Sequence, residues 1–262
     1  MNKINQVWGK YELKKDDAWR FSGGLVAVSI KRITNGWMVS QELLSPKSGS
    51  LAFERLSAFK PNGSETIYQT GRSEILHLLP SLPVKPVVLR NNKTIRIMSK
   101  QSVKLYLAIP INVQLLYGQP DQEHVITEMA LESLSNTWFG ETDGGEAAFS
   151  VGQRVAMNPD DLKLTNFEAI CPVKITNTSN HLLELERLII RVENMALYLK
   201  NDQLIASKVN IEFKGPEQIS NLAFSTDNKI HGENPVLVAK SRNSGTKSIL
   251  GKSFHFIKHF TQ

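Results

Sequence analysis

LVAVSIKRITNGWMVSQE, residues 25–42, holds two runs of alternating character, Leu25 to Ile33 and Trp37 to Glu42, separated by Asn35-Gly36. A residue of the same kind at every second position is the period of a half-buried strand. An Asn-Gly pair between two such runs signals a hairpin, because a type I′ turn needs positive φ at both central residues. The stretch therefore predicts two antiparallel strands closed by a tight turn at Asn35-Gly36.

The same period recurs along the chain. In KVNIEFK, Val209, Ile211 and Phe213 point one way while Lys208, Asn210, Glu212 and Lys214 point the other, the pattern of a sheet with one wet face. In FEAICPVKI, Phe167, Ala169, Cys171, Val173 and Ile175 share a face, which puts the single cysteine among core residues. Further reversals are expected at Pro61-Asn62-Gly63-Ser64, Asn91-Asn92, Asn201-Asp202 and Gly215-Pro216. LPSLPVKP, residues 79–86, reads as an extended connector, since the residue before each proline is pushed out of the helical region.

These signals predict an all-β chain of packed antiparallel sheets. At 262 residues, two tandem β-sandwich-like (Ig-like) domains are expected, a basic one over 1–120 and an acidic one over 121–230. One continuous sandwich is the rival arrangement. The junction is placed at Gly118-Gln119-Pro120-Asp121-Gln122, where the sign of charge changes: 17 Lys/Arg stand against 7 Asp/Glu in 1–120, 9 against 17 in 121–230, and 5 against 1 in 231–262. Residues 231–262 read as a polar linker followed by a short amphipathic helix. Ile249, Leu250, Phe254, Phe256, Ile257 and Phe260 fall in one arc there, and Lys252, His255, Lys258 and His259 lie opposite. That arc is expected to pack on the protein itself or on a second copy, giving a homo-oligomer, in preference to lipid.

The N-terminus lacks the apolar core of a secretory signal, and Cys171 has no second cysteine to pair with, so a cytoplasmic location is expected. The sequons at Asn62 and Asn177 then carry no glycan. A thiol among core residues is structural, and no catalytic residue is assigned. Phosphate-cradling glycine loops and nucleophile elbows are absent, and His255 and His259 lack the glutamate that a zinc protease helix carries between its histidines, so neither a metal site nor a cofactor is expected.

Two groups of residues remain as candidate surfaces. TWFGETDGGEAAFS, residues 137–150, parses as strand, turn, strand, with positive φ expected over Asp143-Gly144-Gly145. Trp138, Glu141, Asp143 and Glu146 are its candidate ligand-binding residues. Arg90, Lys93, Arg96, Lys104 and Tyr106 form a basic group around Asn91-Asn92, and alternation puts Arg96, Lys104 and Tyr106 on one outer face.

LPVKPVVLRNNKTIRI (82–97), LYLAIPINVQL (105–115), LSNTWFGETDGGE (134–146) and ICPVKITNTSNHLLELERLIIRVENMALY (170–198), in that order, resemble a prokaryotic family of domains of unknown function, DUF432. The resemblance covers roughly residues 75–215. Glu141 stands where the family pattern more often has aspartate, and Ala148 where it has cysteine, which speaks against a catalytic role for either position. The family implies a fold and brings no activity, cofactor or substrate.

The functional expectation is thus a non-enzymatic binding or accessory module acting through its sheet faces and an interdomain groove, with a protein as partner. The alternatives are a hydrolase or carbohydrate-active enzyme using Glu141, Asp143 and Glu146 as acid and base, and a binder of nucleic acid or anionic membrane through the basic N-terminal half.

Overall fold

The computed structural model describes residues 7–119, 122–140, 142–215, 221–225 and 235–243, without the side chains of residues 47, 91–93 and 221. The chain is nearly all β-strand, as its alternation predicts, and it gathers into two compact units. The first joins the chain up to Ser81 with Ile111–Ser133; the second joins Leu82–Pro110 with the chain from Leu134 onward.

Numbered along the chain, the first unit holds two sheets. One has the order β1 (Gly9–Glu12), β5 (Ile75–Ser81), β8 (Asn112–Tyr117), β9 (His124–Ala130); the other has β2 (Ala18–Ile33), β3 (Gly36–Leu56), β4 (Thr66–Gln69). Tyr11 of the first sheet meets Phe53 and Trp19 of the second, with ring centroids 4.6 Å and 5.8 Å apart. The long β2–β3 ribbon is the hairpin expected from residues 25–42. Its turn differs in register: Ile33 faces Gly36, so Thr34 and Asn35 are the central residues and neither takes positive φ. Gly36 is there for a different reason. It pairs with Gln69 of β4, and a Cβ on it would lie 1.9 Å from the Tyr68 carbonyl oxygen.

The second unit also holds two sheets. The smaller has the order β10 (Ser135–Phe139), β11 (Glu146–Gly152), β6 (Val87–Ile97), β14 (Leu183–Ile190). The larger runs β12 (Val155–Ala156), β7 (Ser102–Pro110), β13 (Glu168–Asn177), β16 (Gln203–Ala206), β15 (Leu197–Lys200), β19 (Val236–Ala239), and β13 also pairs with β17 (Lys208–Phe213), which pairs with β18 (Asn221–Ser225). Pairing is mostly antiparallel, as expected, but β11–β6, β13–β16 and β13–β17 are parallel. After β13 the chain crosses to the smaller sheet as β14 and then returns beside its own starting strand, and a crossover of that kind produces parallel neighbours.

The expected junction and one expected reversal meet a different structure. The stretch 118–122, expected as a junction, is the β8–β9 connection inside the first unit, and the units are interleaved in sequence. Asn91-Asn92 is not a reversal. It lies within the continuous strand β6, at a bulge where Arg90 faces Arg187 and Ile95 faces Leu185, so the extra residues bow out of the ladder. The chain passes between units at Ser81–Leu82, within the proline-rich connector, and again at Pro110–Ile111 and Ser133–Leu134. The C-terminal amphipathic helix lies outside the described residues, and among those described no helix is long and apolar enough to cross a membrane.

Candidate functional site

Where β7, β13 and β17 lie side by side, the larger sheet has one dry face and one that reaches solvent. Leu105 and Leu107 of β7, Cys171, Val173 and Ile175 of β13, and Val209, Ile211 and Phe213 of β17 are buried on the first, as alternation in their segments predicts. The register then fixes what meets on the other. Lys104 stands directly opposite Lys174, which is beside Asn210, which is beside Ala223. Tyr106 is opposite Pro172, and Ser102 is opposite Thr176 with their hydroxyls 3.1 Å apart. Lys208 lies two residues before Asn210 on the same face, and Glu212 two residues after it. Lys104 is exposed, and Lys174, Lys208 and Tyr106 are half-buried.

Lys104, Lys174 and Lys208 thus lie together with Glu212, and among the described residues none of the three lysines is in an ion pair. Like charges directly opposed on neighbouring strands destabilise the pair by a few tenths of a kcal/mol or more. A face that keeps such a pair gains when an anion covers it.

The expected basic group is divided by the fold. Lys104 and Tyr106 belong to this face, but Arg90 and Arg96 lie on β6 in the smaller sheet, where Arg96 is in an ion pair with Glu184 at 2.8 Å. Lys93 is also on β6, its side chain outside the description. Lys174 and Lys208 were missed. Each is the outward residue of an alternating run, so its face was readable, but only the register shows that Lys174 stands next to Lys104.

The TWFG segment is a hairpin, as expected, with Phe139 facing Glu146 and a loop over 140–145. The positive φ sits at Gly140 and not over Asp143-Gly144-Gly145; a Cβ at Gly140 would come 2.7 Å from the Gly145 Cα, so the loop closes on itself there. Phe139 points into a core cluster with Val88, Ala148 and Ile189, while Trp138 stays half-exposed. Arg187 covers Phe139, its guanidinium carbon 5.3 Å from the ring centroid, and donates to the Trp138 carbonyl at 3.1 Å. Asp143 lies on the exposed turn. Glu146 accepts a hydrogen bond from the buried Arg191, and Glu141 lies outside the described residues. The described carboxylates of this loop therefore have separate roles, one facing solvent and one neutralising an arginine.

Cys171 is fully enclosed, and burial pushes its thiol well above the ordinary value, which leaves it protonated and unreactive. Asn177 of the N-x-S sequon is likewise fully enclosed. Among the described residues no group of three or more His, Cys, Asp or Glu side chains is placed to hold a metal ion.

The model of a family described as protein of unknown function, DUF432, matches residues 7–258, well beyond the stretch that carries the resemblance in sequence. No curated protein and no solved structure matches the chain.

Proposed function

Because the chain belongs to the DUF432 family, and because its family-like residues serve strand pairing and core packing, we propose that it is a non-enzymatic binding module working through the outer face of the larger sheet. Its partner is an acidic protein surface. The observation that carries this reading is the direct opposition of Lys104 and Lys174, with Lys208 nearby and Asn210, Ser102 and Thr176 on the same face. Nucleic acid is the weaker fit. Binding single strands depends on several rings on which bases stack, and among the described residues the ring beside these lysines is Tyr106, half-buried, while Tyr198 on the same side is buried. We place the module in the cytoplasm on the ground of its single cysteine.

The finer architecture that goes with this reading is a pair of sandwich-like, Ig-like units. In the second unit it is supported by Leu222 of the larger sheet, packed against Val88, Phe139, Ala148 and Ile189 of the smaller one. In the first it is supported by the Tyr11, Trp19 and Phe53 rings that meet from two sheets.

The test is titration of the protein with a polyglutamate peptide, an oligo-dT strand and anionic vesicles at low salt. Binding to polyglutamate that falls steeply with salt, and is lost in K104E/K174E without loss of folding, is the expected result. Stronger binding of the DNA strand or vesicles, lost in the same variant, would replace the acidic protein with that ligand. Absence of binding to all three would remove the face as a working surface.

A further inference from the structure

A second like-charge pair lies in the smaller sheet of the same unit. Arg90 and Arg187 stand directly opposite one another across β6 and β14. Neither is in an ion pair among the described residues. The nearest carboxylate in sequence, Glu186, accepts instead from the Thr94 hydroxyl at 3.3 Å.

Arg187 is fixed by its surroundings. Its plane rests on Phe139, one terminal nitrogen donates to the Trp138 carbonyl, and its Nε is shut off from solvent without a partner. Burial, and then the charge of Arg90, push its pKa below the ordinary value. Arg90 is exposed, and among the described residues no ion pair holds it. The strand pair thus presents one oriented guanidinium beside an exposed one, next to the bulge of β6.

We propose that Arg90 and Arg187 form a binding site for a phosphate-type oxyanion, with Arg187 as the fixed fork and Arg90 closing over the anion. The guanidinium fork matches two oxygens of a phosphate at once, and a phosphate carries close to two negative charges near neutral pH. Two opposed arginines are then neutralised by one ligand, which a single carboxylate would not achieve. This site lies on a different sheet from the lysine face, so it stands or falls independently of that reading.

Thermal melting and calorimetry with inorganic phosphate, against sodium chloride at matched ionic strength, test it. Phosphate should raise the melting temperature in a saturable manner, and R187K, which keeps the charge and loses the fork, should bind at least about tenfold more weakly. R90E should melt higher than wild type in phosphate-free buffer, because an ion pair replaces a like-charge pair, and its phosphate response should vanish. Phenyl phosphate separates two sources of the same chemistry: tighter binding than inorganic phosphate assigns the site to a phosphomonoester, equal binding to the free anion. No saturable effect beyond chloride in the wild type, or an undiminished effect in R90E and R187K, overturns the proposal.

Discussion

Asn177 uses every hydrogen-bonding position of its side chain. Its Nδ2 donates to the carbonyls of Ile97 at 2.9 Å and His181 at 2.7 Å, and its Oδ1 accepts from the Ser179 amide at 3.0 Å and hydroxyl at 2.7 Å. One amide thereby ties the end of β13 to the end of β6. Asn177→Ala would leave buried groups unanswered and should lower stability by about 3 kcal/mol, read from urea unfolding; a loss under about 1 kcal/mol would mean that water replaces the amide. Cys171 behaves as an acid raised by burial, so its contribution to stability is complete below the ordinary thiol value and is lost as pH rises past it, where the unfolded chain ionises first. The native protein should therefore resist alkylation at neutral pH and react at once in denaturant, and Cys171→Ala should flatten the decline of stability above pH 9.0. Fast modification of the folded protein would contradict the enclosed position.

Among the elements, the hairpin at residues 25–42 shows how far local signals reach. Asn35-Gly36 announced a reversal, and a reversal is there, yet the glycine answers to β4 some thirty residues further on, which no local pattern displays. Asn201-Asp202 is the contrasting case. Both residues take positive φ, at 45° and 70°, and close Lys200 against Gln203, so that turn depends only on its own chemistry and was legible from it. Gly36→Ala should then spare the β2–β3 ribbon and release β4. Amide exchange at residues 66–69 should accelerate strongly while residues 26–31 remain protected; uniform acceleration, or none, would show that Gly36 acts otherwise. The basic residues divide along the same line. Alternation told which of them face outward, whereas the sheet each belongs to follows from register and crossover, and so Arg96 and Lys104 were grouped though they lie in different sheets.

For the whole molecule, the decisive fact is that each unit is assembled from two separate lengths of chain. Residues 1–120 alone contain β6 and β7 without β13 and β14, and lack β9; that fragment should fail to fold by circular dichroism. A different cut should succeed. Ser81 and Asn112 face each other as the end pair of β5 and β8, so replacing residues 82–111 with an Asn-Gly turn and ending the chain at Ser133 should give a folded first unit with cooperative thermal melting. An unfolded product would show that the first unit depends on the second. The order of synthesis has a consequence of its own. A ribosome releases β1 to β5 first, then β6 and β7, and only afterwards β8 and β9, which the first unit needs to complete its sheet. While the nascent chain waits, β5 lacks its β8 partner, and β6 and β7 wait longer still for strands near residues 170–190. Folding intermediates with open edges of this kind are prone to pair with other chains, so expression temperature and translation rate, more than the stability of the finished protein, should decide how much of it a cell recovers in soluble form.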